Sequence, residues 1–395
     1  MRRFLLMIIL LAPTLEGLAQ LTRYQADFEV SDHDFADTVT IAWERGQVFV
    51  PVEIDGCSYR FLLDTGAGMS SVFKGSRLAA LCNEVGSIVS YDGAGRSDTV
   101  EVVQLPPLLM GSVSLKGCRA TVQQPSSAGA AIDGILGFDL VNGGLSVKID
   151  VPSRQLIITD RWRLFSREAG TISLKYHLNY HVPYINVVPF GRHKERVLFD
   201  TGSRQFFSMN KAHFDRAARK QDKAQDILVE GRSWGCHAMG HHGVEAEGEV
   251  VFIQLDSLRL GRYAFRDVHC MTTQGGSHIG APLLAFGAVM FVPQQRRMYF
   301  QPCINEQPCR VGNSQLEIAF VADRLGRPQV GLVWEKGIPY QLGFRYGDVI
   351  EQIDHRPVGS LAQLAGWGFQ RGREYVFTLL DAQGERREVR WVRLP

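Results

Sequence analysis

Residues 60–67 read Arg60-Phe61-Leu62-Leu63-Asp64-Thr65-Gly66-Ala67, and residues 196–203 read Arg196-Val197-Leu198-Phe199-Asp200-Thr201-Gly202-Ser203. Each octet sets three apolar residues directly ahead of Asp-Thr-Gly. A short apolar run of this kind suits a buried strand, and the Gly that follows permits a tight turn at its end. An aspartate is thus delivered twice, each time at the end of buried strand material. A single Asp-Thr-Gly occurs in ordinary turns. Two in matching surroundings point to a shared design.

Working outward, the match extends in both directions. Phe49-Val50-Pro51-Val52-Glu53-Ile54 precedes the first triplet and His181-Val182-Pro183-Tyr184-Ile185-Asn186 the second, with turns at Asp55-Gly56 and near Gly191. Downstream, Val102-Val103-Gln104-Leu105 resembles Val250-Val251-Phe252-Ile253, and Gly134-Ile135-Leu136-Gly137 answers to His278-Ile279-Gly280. Val151-Pro152 and Val292-Pro293 close the two copies. Landmarks repeated in one order mark an internal duplication. Short alternating or β-branched runs broken by Gly, Asp, Asn and Pro make each copy β-rich. The best helical stretch is Lys211 to Asp226, rich in Ala, Lys and Gln.

Two carboxylates brought face to face cannot both ionise, so they share a proton, and the pair titrates as a unit. The ionised member can take a proton from a water held between them while the protonated member polarises a carbonyl. Thr65 and Thr201 can hydrogen-bond across the twofold to brace the turns, and Gly66 and Gly202 let backbone N–H groups approach the carboxylates.

These motifs resemble the pepsin and retropepsin superfamily of aspartic peptidases over roughly Val48 to Gln301. The resemblance implies catalytic roles for Asp64 and Asp200, supported by Thr65, Gly66, Thr201 and Gly202. It also implies an apolar-apolar-Gly element beneath each triplet, matched by Ile135-Leu136-Gly137 and less fully by Ile279-Gly280. A hairpin flap would close over the cleft. Its best match is Ser90-Tyr91-Asp92-Gly93-Ala94-Gly95-Arg96, with Tyr91, Asp92, Gly93 and Gly95 as substrate-contacting positions. Tyr91 stands about 27 residues past Asp64, an interval more retropepsin-like than pepsin-like. A second Gly-rich hairpin between Gly231 and Gly243 suggests a second flap. In the family a hydroxyl after the triplet, here Ser203, favours the ionised carboxylate, which implies activity from mildly acidic to near-neutral pH. The second copy departs from the family pattern at Arg204-Gln205-Phe206-Phe207 and at His278.

From about Val311 the pattern changes. Strand-like runs at Glu317-Ile318-Ala319-Phe320 and Gly331-Leu332-Val333-Trp334 lead to Leu342-Gly343-Phe344-Arg345-Tyr346-Gly347-Asp348-Val349-Ile350 and Ile353-Asp354-His355-Arg356-Pro357-Val358. A short helix near Leu361 to Ala365 and strands at Tyr375 to Leu380 and Arg387 to Val392 follow. This segment resembles a PDZ domain, which implies capture of a peptide C-terminus by strand addition, with Gly331-Leu332-Val333 on the binding strand.

At 395 residues with 45% apolar and 21% charged content, the chain is an ordinary globular composition. A net charge of +2 and no basic stripe argue against a nucleic-acid partner. At the N-terminus, Arg2-Arg3, the apolar run Phe4 to Ala12 and Gly17-Leu18-Ala19 read as an export signal cleaved after Ala19. The run is too short to span a bilayer, so no stable membrane insertion is expected after its removal. Export permits disulfides, and among the seven cysteines the candidate pairs are Cys303 with Cys309, Cys82 with Cys118, and Cys236 with Cys270. Cys236, His237, His241 and His242 match no common zinc spacing. No Gly-x-Ser-x-Gly elbow, Walker loop or dinucleotide fingerprint occurs. No metal or organic cofactor is implied.

The expectation is therefore a mostly β chain. Two lobes of pepsin/retropepsin-like fold form a pseudo-dimer, followed by a small PDZ-like α+β domain. The units are a signal peptide at 1–19, lobes at 20–165 and 166–310, and the PDZ-like domain at 311–395. The expected function is exported (periplasmic or secreted) aspartic endopeptidase action on a protein or peptide held between the lobes. A peptide-binding adaptor that keeps the fold without cleaving is the alternative.

Overall fold

The computed structural model describes residues 24, 26–93, 96–125, 132–166, 170–220, 227–240, 242–304, 306–312, 316–370 and 372–392. The signal expected at 1–19 lies outside the described residues, as do Gly95 and His241. The fold is mostly β and two-lobed, as the sequence patterns require. Among the described residues no helix is long and apolar enough to cross a membrane.

The first lobe is built on an 11-stranded sheet and the second on a 10-stranded one. Part of each repeats the same neighbour order. In the first lobe it runs Gln47–Ile54, Cys57–Leu63, Gly134–Leu136, Ser70–Phe73, Arg119–Gln123, Ser97–Gln104 and Asn83–Tyr91. In the second it runs Val182–Phe190, His193–Asp200, His278–Gly280, Phe207–Asn210, Tyr263–Thr273, Gly248–Leu255 and Ile227–Gly235. The decisive step is the third strand. Gly134–Leu136 inserts parallel to the Asp64 strand, pairing Leu136 with Leu63, and antiparallel to Ser70–Phe73. His278–Gly280 does the same beside Phe199 and Asp200.

A third, 6-stranded sheet takes strands from both lobes: Ile172–Lys175, Arg297–Pro302, Gly287–Val292, Ser146–Asp150, Gln155–Thr159 and Ala36–Thr40. It stitches the lobes together below the aspartates. Phe291 in this sheet meets Phe138 of the first lobe edge-on at 4.9 Å and Phe199 of the second at 5.7 Å. All three rings are buried in one apolar cluster that runs through both lobes. At about 2–3 kcal/mol for each buried aromatic side chain, such packing holds the two aspartate strands in register.

Several expectations need correction. The helix expected from Lys211 is present over Lys211–Lys220, and residues 221–226 lie outside the described residues. All seven cysteines are free thiols, so none of the three expected pairs forms. Chain spacing does not tell which way a side chain faces: Cys118 and Cys270 point into the cores of their lobes, Cys82 Sγ donates to the Leu78 carbonyl, and Cys236 is buried in the second flap against Gly331.

The C-terminal unit orders its strands Ile318–Ala322, Pro328–Val333, Val349–Ile353, Glu374–Leu380 and Arg386–Val392, with short helices Ile338–Leu342 and Leu361–Ala365. Its glycine-rich signature is a turn device. Gly343 ends a helix at φ +113° and Gly347 turns at φ +89°, after which buried Asp348 pairs with Arg387. The strand holding Gly331-Leu332-Val333 pairs with Ile318–Ala322 along one side; on the other it bridges Val349–Ile353 only at Gln329, and the Gly331 carbonyl is taken by the Cys236 N–H. The sheet's two end strands are Ile318–Ala322 and Arg386–Val392.

Candidate active site

Each aspartate is set by the local fold of its own lobe. The Asp64 N–H donates to the Leu136 carbonyl at 2.9 Å, so the inserted strand fixes where the chain turns. The turn then folds back on its carboxylate: Gly66 N–H donates to Asp64 Oδ1 at 2.8 Å. In the second lobe Gly202 and Ser203 N–H groups donate to Asp200 Oδ1 at 2.9 and 3.2 Å. Ser203 therefore acts through its backbone, and its hydroxyl instead accepts from the Gln205 N–H. This corrects the expectation placed on that hydroxyl.

The glycines after each triplet's Thr face the opposite carboxylate. A Cβ on Gly66 would stand 2.6 Å from Asp200 Oδ1, and one on Gly202 would stand 2.6 Å from Asp64 Oδ2. No other residue fits. The apolar-apolar-Gly elements are equally tight: a Cβ on Gly137 would meet the Ala67 carbonyl at 2.8 Å, and one on Gly280 the Gln205 carbonyl at 2.2 Å. Ile279-Gly280 thus packs beneath its triplet as Leu136-Gly137 does.

Across the twofold the threonines interlock. Thr65 N–H donates to Thr201 Oγ1 at 3.0 Å and Thr201 N–H to Thr65 Oγ1 at 3.1 Å. Each hydroxyl then donates to a carbonyl of the other lobe, Thr65 to Phe199 and Thr201 to Leu63, both at 2.7 Å. All of this is buried. Asp64 and Asp200 are drawn together so that their carboxyl groups hydrogen-bond each other, and burial raises Asp200 above the ordinary carboxylate range. Such a pair holds one proton.

The sequence reading missed a further brace. Arg204 donates from Nε and Nη2 to Gln47 Oε1 at 2.9 and 2.7 Å, while Gln47 Nε2 donates to the Gly202 carbonyl at 2.8 Å. Arg204 was visible only as a departure in the second copy. It is a second tie between the lobes. Beneath the first triplet lies buried Asp139, which accepts from Ser70 N–H and Oγ at 2.8 and 3.0 Å. Burial pushes Asp139 up to about 6 against those donors.

Above the pair, two hairpins meet. The first joins Asn83–Tyr91 to Ser97–Gln104, and the second joins Ile227–Gly235 to Gly248–Leu255, with Met239–Gly240 and Gly243–Val244 pairing near its tip. Asp92 Oδ2 accepts from His242 N–H at 2.8 Å and Arg96 Nε donates to the Val244 carbonyl at 2.6 Å. The Gly93 carbonyl abuts Gly275, where an added Cβ would stand 2.4 Å away. Asp92 therefore touches the other flap and Gly93 the loop that precedes His278–Gly280, whereas Tyr91 is exposed and rests on Tyr180. Buried Glu245 secures the second flap by accepting from the N–H groups of His237, Ala238 and Gln274, each at 2.9 Å.

A protein-family model described as aspartyl protease matches residues 50–140, which include the first triplet and the first flap. Among curated proteins none matches the chain. Among solved structures the chain is similar to the basic 7S globulin from soybean, at 10% identity and a TM-score of 0.42 over 67% of this chain and 94% of that one.

Proposed function

We propose that the protein is an exported aspartic endopeptidase. Its substrate is an extended peptide lying between the aspartates and the meeting flaps. The observation that carries this reading is the interlocked pair of turns that brings Asp64 and Asp200 into mutual hydrogen bonding. With one proton on the pair, the ionised carboxylate takes a proton from a water placed between them as that water's oxygen adds to the peptide carbonyl carbon. The protonated carboxyl stabilises the oxyanion that forms. Collapse breaks the C–N bond, and the departing amine takes up a proton from the pair. Export is supported by the N-terminal pattern alone, and leads to the periplasm or beyond.

The C-terminal unit, read as PDZ-like, joins this scheme through the second flap. Gly331 falls at a bulge in its strand, and its carbonyl accepts from Cys236 N–H at 2.8 Å. Trp334 stacks on Phe252 at 5.4 Å and sits over Gly231, where a Cβ would be 2.5 Å from its ring nitrogen. Val250, Phe252, Met271, Ala319 and Leu332 close the seam as one apolar cluster. The end strand Ile318–Ala322 is the place for a peptide C-terminus.

The test is turnover of a peptide library by the full chain, with and without a peptide carrying a statine hydroxyl in place of the shared water. Cleavage suppressed by that compound supports hydrolysis. Peptide binding with no cleavage across a broad pH range supports the adaptor instead.

A further inference from the structure

The two-residue turn Tyr180–His181 links the strands His177–Asn179 and Val182–Phe190. Both residues are left-handed, at φ +49° and +66°. A hairpin turn of this shape favours Asn and Gly, and placing Tyr and His there stores strain. The turn is pinned against the first lobe. His181 stacks on Tyr24 with ring centres 3.5 Å apart, and its carbonyl accepts from Asn142 Nδ2 at 2.8 Å. Tyr24 in turn donates to the Gly68 carbonyl at 2.7 Å. The Tyr180 carbonyl lies so close to Gly68 that a Cβ there would approach to 2.8 Å. The turn of one lobe thus sits beside the Asp64 loop of the other.

While the backbone is held, the Tyr180 ring is not enclosed. It is 64% exposed, and its neighbour on the first flap, Tyr91, is 56% exposed. Their ring centres are 4.8 Å apart at 34°. Tyr184, four residues on, lies within electrostatic reach of both Tyr180 and Asp200. Two accessible aromatic faces, one from beside the Asp64 loop and one from the first hairpin, therefore stand together. Exposed aromatic surface gains free energy when it is covered, and planar partners gain most.

We propose that Tyr180 determines specificity: with Tyr91, whose ring it now touches, it forms an aromatic clamp that parts to take a large flat apolar side chain of the peptide. This rests on the endopeptidase reading for the identity of the ligand. A stacked ring is worth about three- to tenfold in affinity.

The clamp is tested by calorimetry on the full chain with statine-containing hexapeptides that carry Phe or Ala beside the statine. The parent binds the Phe peptide about three- to tenfold more tightly than the Ala peptide. Tyr180→Phe keeps that ratio. Tyr180→Asn, which suits the left-handed backbone better and so preserves the turn, brings it close to one. An unchanged ratio in Tyr180→Asn overturns the clamp, and so does failure of the parent to bind either peptide. Peptide turnover is followed alongside. A parent that shows the Tyr180-dependent ratio but cleaves nothing upholds the clamp and sinks the hydrolase reading. A parent that cleaves with a ratio indifferent to Tyr180 does the reverse.

Discussion

Thr65 and Thr201 each donate a backbone N–H to the other's hydroxyl, at 3.0 and 3.1 Å, in the buried seam between the lobes. Each hydroxyl is thereby acceptor and donor at once, since it also reaches a carbonyl of the opposite strand. Removing one leaves a buried N–H and a buried carbonyl unpaired. Thr201→Ala is expected to destabilise the chain by about 2–4 kcal/mol in denaturant unfolding, at roughly 1–2 kcal/mol for each orphaned group. Thr201→Ser keeps the hydroxyl and should lose little.

The glycines beside the carboxylates make a separate prediction. Gly66→Ala would force a methyl to within 2.6 Å of Asp200 Oδ1, so the pair must separate. A displacement near 1 Å costs on the order of a hundredfold in turnover. Steady-state kinetics on the folded variant should show that loss in kcat more than in KM.

Asp139 links stability to pH. Burial raises its pKa from 3.8 to about 6. A raised carboxyl stabilises the fold fully below its unfolded value and loses that contribution as pH rises through the folded one. Between about pH 4 and pH 7 the parent should lose roughly 2–3 kcal/mol on this account. Asp139→Asn should flatten the profile over that window in urea titrations. Equal slopes in parent and variant would count against the assignment.

The seam with the C-terminal unit predicts a change in the second flap. Trp334 fills the space above Gly231 and against Phe252. In Trp334→Ala, deuterium uptake should rise over residues 227–235 and 248–255, with the strand Cys57–Leu63 unaffected. No rise would mean the flap holds its place without the C-terminal unit.

The dyad's proton sets the pH range of activity. Burial raises Asp200, and backbone N–H groups stabilise the ionised form of the pair. The raised Asp200 carries the single-proton state above the ordinary carboxylate range, and the rate should fall on both sides of it. A maximum below about pH 3 contradicts this.

The aspartate turns were legible because their signals are local: apolar strand, triplet and glycine lie within eight residues and occur twice. The helix Leu361–Ala365 was legible for the same reason. Gln47 and Arg204 were not, because a tie across 157 positions between common polar residues leaves no pattern along the chain. Tyr180–His181 escaped notice because neither residue is a turn signal, and the fold imposes the left-handed backbone on them. The cysteines misled because spacing fixes reach but not facing. Gly331 looked like edge-strand material, and only the folded chain reveals that its carbonyl is taken by Cys236 of the second hairpin.

The most direct measurement of the central claim is turnover of one cleaved peptide by the parent, Asp64→Asn and Asp200→Asn, with folding checked by circular dichroism. Each substitution alone should lower kcat by at least about a hundredfold and leave the fold intact. A folded single variant that cleaves at the parent's rate would contradict the account.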